Sequence, residues 1–178
     1  LEVENYVDAE NEQFSEGEGT HFALVWLEEG STRGESYVNL IPTPAGGTHE
    51  AGLRQAVFTA MNHFMTIHGL IPRGVKVQTD DVFSHICYVL SVRLLDPQFQ
   101  RQTKEKLTNR DALRLVSGVS TDLIELWLNQ NIETGKKIAE LAIKQAQNRM
   151  RSAKKVEKRK SSSVAVLPGK LTDCESED

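Results

Sequence analysis

The chain has 178 residues, 39% of them hydrophobic, and a formal net charge of −4, which suits one domain with an appendage and a single modest core. No apolar run approaches the ~20 residues that a membrane helix needs, and Leu1-Glu2-Val3-Glu4 lacks the basic n-region of a signal peptide. The mean charge conceals an asymmetry: residues 1–30 contain no Lys or Arg, whereas residues 132–160 contain ten, against Glu133, Glu140 and Glu157.

Residues 1–19 are acidic and aperiodic, with Glu2, Glu4, Asp8, Glu10, Glu12, Glu16 and Glu18, and read as a flexible segment. The run His21 to Leu27 has strand length, Glu28 to Glu35 reads as a turn, and Ser36 to Ile41 is a second strand closed by Pro42. Two strands joined by a short polar turn predict an antiparallel hairpin. Thr43 to Gly47 is a loop, after which Thr48 or a neighbour caps a helix with Glu50 in its first turn. Leu53, Val57, Met61, Phe64 and Ile67 recur at helical spacing over 50–68. Gly69 and Pro72 end that helix. Val75 and Val77 suggest a short extended piece, and Thr79-Asp80-Asp81 a second helix start. Cys87 to Leu94 is a β-branched and aromatic strand.

The stretch from Asp96 to Asn109 is polar and irregular. Asp111 is placed to cap a helix reaching about Gln130, with Leu115, Val119, Leu123 and Trp127 on one face. A longer helix is predicted over 132–158, roughly 40 Å long at ~1.5 Å per residue. Its apolar stripe runs from Ile138 through Leu141, Ala142, Ala146, Met150 and Ala153 to Val156, and it is expected to leave the globular body. Ser161-Ser162-Ser163 and Pro168-Gly169 mark a linker. The predicted division is thus a flexible 1–19, an α/β domain over 20–131, a basic helix over 132–160 and a linker over 161–178. The fold class is an α/β (α+β) sandwich with a long C-terminal helix.

No complete active site emerges. Cys87 and Cys174 are isolated, so neither a zinc pair nor a disulfide framework is implied, and a reducing cytosol fits. His63 and His68 are five apart on a helix and share no face in the i, i+4 manner, so no metal site is expected. Gly169-Lys170 is not a phosphate loop, because Leu171 stands where Ser or Thr belongs. The amides of Gly46-Gly47-Thr48-His49 could hold an anion at a helix start; the plainer reading is a tight turn and a cap. Asp80-Asp81 reads as a helix N-terminus. The basic helix is either a solvated face or a phosphate-binding surface.

Several stretches together resemble a known family. Tyr37-Val38-Asn39-Leu40-Ile41-Pro42-Thr43, Gly46-Gly47-Thr48-His49 and Gly52-Leu53-Arg54 are followed by Val89-Leu90-Ser91-Val92-Arg93, Asp96-Pro97-Gln98-Phe99 and Gln102-Thr103-Lys104. In this order they resemble the ATPase subunits of bacterial type IIA topoisomerases, over about 20–178. Leu40-Ile41-Pro42 and Trp127-Leu128-Asn129-Gln130-Asn131 favour the topoisomerase IV branch over gyrase. Leu167-Pro168-Gly169-Lys170-Leu171 and Asp173-Cys174 resemble the segment that leads into a TOPRIM domain.

The resemblance implies a transducer, with a left-handed βαβ ribosomal-protein-like fold, lying between a GHKL ATPase domain and TOPRIM. It implies that ATP is bound mainly by the GHKL domain, outside this stretch, and Mg2+ only by domains outside it. Lys104, helped by Gln102 beside Thr103, is then expected to contact the ATP γ-phosphate. Arg54 is expected to face DNA, with Lys144, Arg149, Arg151, Lys154 and Lys155 extending the positive surface. The implied partners are a second copy of the same chain, the A subunit of topoisomerase IV and double-stranded DNA, with no membrane. The expected location is the bacterial cytoplasm, and the stretch alone is expected to be inactive. The alternatives are a stand-alone nucleic-acid-binding module with a ribosomal-protein-like sheet, or the coupling domain of another GHKL protein.

Overall fold

The computed structural model describes residues 1–100 and 102–162, with side chains as far as residue 156. The strands are β1 (Glu2–Tyr6), β2 (Gly19–Trp26), β3 (Arg33–Val38), β4 (Ile41–Pro42) and β5 (Ile86–Arg93). The helices are α1 (Thr48–Ile67), α2 (Thr79–Phe83), α3 (Arg110–Gln130) and α4 (Ile132–Ser162). The five strands form one sheet in the order β1-β2-β5-β3-β4, antiparallel except where β3 runs parallel to β5.

Alternation along the strands sets the two faces of the sheet. Phe22, Leu24, Val38, Ile86, Leu90 and Val92 are buried on the face toward the helices, while Val25 and Val89 on the other face are about half exposed. Against the buried face lie Leu53, Ala56, Val57, Met61 and Phe64 of α1 and Ala112, Leu115, Val116, Ile124 and Leu128 of α3. A Cβ at Gly52 would stand 2.7 Å from the Leu113 carbonyl oxygen, so glycine lets α1 and α3 approach at that point.

The clearest departure from the sequence reading is at the N-terminus. Residues 2–6 are not a flexible segment but an edge strand, paired with β2 from Glu2↔Ala23 to Tyr6↔Gly19. Val3 is buried in the core while Glu2 and Glu4 face outward, which is why the segment looks merely acidic. The predicted hairpin is also wrong in adjacency. β2 and β3 run antiparallel, but β5 lies between them and pairs with both. The turn between them has only to span two strand spacings of ~4.8 Å, an easy reach for that many residues.

Smaller corrections follow from local chemistry. The second strand breaks at Asn39-Leu40, both with positive φ (49° and 65°), into a tight β3–β4 hairpin. Asn39 is held there by its own side chain, which accepts from Leu94 N–H at 2.9 Å and donates to Leu94 O at 2.8 Å. Residues 75 and 77 form no strand. The α1 N-cap is Gly47, the neighbour of Thr48; the α3 N-cap is Asn109 rather than Asp111, and Ile67 is 61% exposed. The core face of α3 runs through Ala112, Leu115, Val116, Ser120, Ile124 and Leu128, with Val119, Leu123 and Trp127 at its margin.

The chain divides into compact units Leu1–Ala146 and Gln147–Asp178. The first half of α4 therefore belongs to the α/β unit, and the predicted boundary at 131/132 falls too early. Ile138, Ala139, Ala142 and Ala146 are buried, whereas Ala153 and Val156 are exposed. Helix α4 takes in Ser161 and Ser162; the rest of the predicted linker lies outside the described residues.

Candidate functional site

The two motifs singled out in the sequence, Gly46-Gly47-Thr48-His49 and Gln102-Thr103-Lys104, lie more than fifty positions apart, and the fold joins the first to the segment that directly follows the second. Leu107 N–H donates to the Gly46 carbonyl at 3.1 Å, Thr48 N–H donates to the Leu107 carbonyl at 3.2 Å, and Ala45 N–H donates to the Glu105 carbonyl at 3.0 Å. Gly47 has φ 147°, and a Cβ there would stand 2.4 Å from the Leu107 carbonyl oxygen. Glycine is required both by the backbone angle and by the close approach. The amides of Gly46 and Thr48 are spent within the protein, on Thr43 and Leu107 carbonyls. Two of the four motif amides are thus used in fastening the helix start to its neighbours.

The loop that it fastens is itself laced together. Gln100 N–H donates to Lys106 O at 2.9 Å and Thr108 N–H to Gln98 O at 2.8 Å. The Asn109 side chain accepts from Gln98 N–H and donates to Asp96 O. At the tip, Gln102, Thr103 and Lys104 are exposed, and Lys104 takes a left-handed φ of 55°. Ala45, Gln100, Thr103, Glu105 and Lys106 line a hollow of about 160 Å³ beside the tip.

Behind the junction is a buried polar chain. Ser36 Oγ and Thr43 Oγ1 are 2.7 Å apart, and Thr43 Oγ1 is 3.0 Å from His49 Nε2. It fixes His49, the last residue of the first motif, to β3 and to the segment after β4. Burial lowers the His49 pKa to about 4, so the imidazole is neutral near pH 7.

Arg54 lies within two turns of the same helix start. Its guanidinium is partly exposed and engaged: Nη2 donates to Asp80 Oδ1, and Cζ stands 4.5 Å from the centroid of the Phe83 ring. Phe83 meets Tyr88 edge to face at 5.4 Å. Burial pushes the Tyr88 phenol up to about 12; Glu50 adds to the shift and Arg54 opposes it. Sequence reasoning missed Asp80 as a partner because the two residues are 26 apart. The neighbouring Asp81 is buried and accepts Gln78 N–H at 2.8 Å, as expected for the start of α2.

Of the basic α4 residues expected to extend the Arg54 surface, Lys144 belongs to the first unit and Arg149, Arg151, Lys154 and Lys155 to the second. Lys144 borders a cleft of about 500 Å³ with Lys137, Leu141 and the carboxylates of Glu28, Glu29 and Glu140. In the second unit Arg151, Lys154 and Lys155 are exposed and Arg149 is half-buried. Helical spacing puts Arg151 and Lys155 on one face. Among the histidines, His63 bonds Glu125 at 3.0 Å, His85 bonds Gln145 at 2.6 Å, and His68 packs on Phe64. Among the described residues no group of three or more His, Cys, Asp or Glu is placed to hold a metal ion.

The profile of the DNA gyrase B family matches residues 2–158, so the match includes the edge strand β1, beyond the 20–178 read from the sequence. The chain is 51% identical over 162 residues to the B subunit of DNA topoisomerase 4 from Escherichia coli K12, covering 90% of this chain and 26% of the relative. It is 50% identical over 164 residues to the corresponding protein of Salmonella typhimurium, covering 92% and 26%. It therefore spans about a quarter of the length of these relatives. Among solved structures it resembles a topoisomerase IV ATP-binding domain of Francisella tularensis in complex with a small-molecule inhibitor. That match has TM-score 0.71 and 36% identity, and covers 83% of this chain and 40% of that one. It also resembles the 43K ATPase domain of Thermus thermophilus gyrase B in complex with an aminocoumarin, with TM-score 0.76 and 25% identity, covering 88% and 40%.

Proposed function

The chain belongs to the DNA gyrase B family, and we propose that it is the transducer of a topoisomerase IV B subunit, the lever that links ATP state to DNA strand passage. The observation that carries this reading is the junction. The Gln102-Thr103-Lys104 loop is hydrogen-bonded through Leu107 to Gly46 and Thr48, at the start of the helix that bears Arg54. A pull on the loop is thereby applied directly to α1.

ATP lies mainly in a GHKL domain outside this chain and supplies a terminal phosphate whose charge is present before hydrolysis and gone after it. Lys104 fits as the group that meets it: it is exposed at the tip of a fastened loop, and its ammonium is a compact point charge on a flexible stem. Gln102 adds a hydrogen bond. In a water-poor pocket such a contact is far stronger than in solvent. When the γ-phosphate leaves, the differential contact is lost and the loop releases. Mg2+ belongs to the neighbouring domains. The β3-α1-α2-β5 unit, with β3 parallel to β5, supports the ribosomal-protein-like transducer sandwich; the left-handed crossover is part of the proposal. The partners are a second copy of the same chain, duplex DNA and the A subunit of topoisomerase IV, in the bacterial cytoplasm. The whole enzyme is an ATP-driven isomerase.

Replacing Lys104 in the full-length protein tests the reading. Lys104→Ala should lower the ATPase rate on the order of 10²-fold, as expected when one strong transition-state contact disappears, with thermal unfolding unchanged. A variant with near-normal turnover would leave Lys104 an ordinary surface lysine.

A further inference from the structure

Arg54 has two contacts of different permanence. Phe83 is 1% exposed and fixed in the core, so its ring is a lasting seat for the guanidinium. Asp80 is 84% exposed at the side chain, and Arg54 is 36% exposed. An exposed ion pair of this kind is weak and readily exchanged. A phosphate oxygen and a carboxylate oxygen are alternative acceptors for the same guanidinium N–H groups.

We propose that Asp80 is a built-in stand-in for DNA phosphate: it occupies Arg54 between encounters with the duplex and has to be displaced when phosphate arrives. This rests on the reading of Arg54 as a DNA-facing residue. Because Phe83 holds the cation, the exchange moves an anion and leaves Arg54 in place. Once displaced, the Asp80 carboxylate stays close to the incoming phosphate and opposes it. The grip is thus weaker than Arg54 alone would give, which suits a duplex that has to be released. Asp81, next to it, is buried, and its carboxylate accepts Gln78 N–H at the start of α2. Glu50, which acts on the Tyr88 hydroxyl beside Arg54, adds a second negative charge to the same neighbourhood.

The experiment uses the full-length protein in complex with its A-type partner and measures ATPase rate against linear duplex concentration at low and high salt. Four forms are compared: unaltered, Asp80→Asn, Arg54→Gln and the double variant. Asp80→Asn should lower the half-saturating duplex concentration about two- to fivefold, leave the basal rate unchanged, and lose this gain as salt rises. In the Arg54→Gln background the same substitution should do little. Asp80→Ser should repeat the result, which separates loss of charge from any new hydrogen bond made by the asparagine. An unchanged or raised half-saturation for Asp80→Asn, with Arg54→Gln still impaired, overturns the stand-in and spares the DNA reading. A gain equally large without Arg54 makes Asp80 a general repeller of DNA and also overturns it. Full DNA stimulation in Arg54→Gln removes the DNA role of Arg54, and the stand-in with it.

Discussion

Burial makes His49 a pH-dependent part of the fold. In the folded chain its pKa is lowered to about 4 from 6.5, because the buried site disfavours the imidazolium. The unfolded chain takes up the proton as pH falls through about 6.5, whereas the folded chain refuses it until about pH 4. This contribution to stability is complete above pH 6.5 and is lost on acidification, to about 3 kcal/mol by pH 4. Between pH 7 and 4.5 the urea midpoint of the natural chain should therefore fall further than that of His49→Gln, which has no titrating ring. Equal losses would assign the acid sensitivity to carboxylates elsewhere. The histidine was visible in the sequence as part of a motif. Its neutral state was not, because that depends on the burial that only the fold creates.

At the scale of elements, local patterns were readable and pairings were not. Leu53, Val57, Met61 and Phe64 announce α1 by spacing alone, and all four are buried. Strand β1 escaped notice because an edge strand can face outward with charge and needs few apolar residues inside; Val3 is its one buried position. The β2–β3 hairpin failed because nothing in the turn says that β5, some fifty residues on, will insert there. Phe64 offers a test of how α4 docks on α1. A Cβ on Gly135 would stand 2.7 Å from the Phe64 ring, which is 3% exposed and has no room to yield. Phe64→Ala should cost roughly 3–5 kcal/mol in denaturant unfolding through the cavity it leaves. Gly135→Ala should cost about 1–3 kcal/mol through overpacking. A Gly135→Ala chain as stable as the natural one would mean that α4 is not seated on Phe64.

For the molecule as a whole, the candidate site is incomplete by itself. In the proposed lever Lys104 serves a nucleotide held by another domain, and among the described residues no group of three or more His, Cys, Asp or Glu is placed to hold a metal ion. The purified chain should accordingly neither hydrolyse ATP nor cleave or relax supercoiled DNA. Stoichiometric turnover that persists through repurification would contradict the lever reading and point to an active site within these residues. The order of motifs made the family legible, and the proposal takes Lys104 and Arg54 from it. Asp80 could not be taken from it, since an ion pair across 26 residues is created only by the fold.

In the proposed lever, the lacing of the loop bears on what each nucleotide encounter would cost in freedom. Ordering the backbone of one residue removes about 1–2 kcal/mol of conformational entropy. A long slack loop would surrender that freedom every time it closed on a phosphate. Here the Gln100–Lys106 hydrogen bond and the Leu107 fastening leave only a short arch around Gln102, Thr103 and Lys104. For the proposed lever, little of the attraction between Lys104 and the nucleotide is then consumed in stiffening the arm that carries it. Most of it remains available as force on α1, and it disappears in a single step when the phosphate departs.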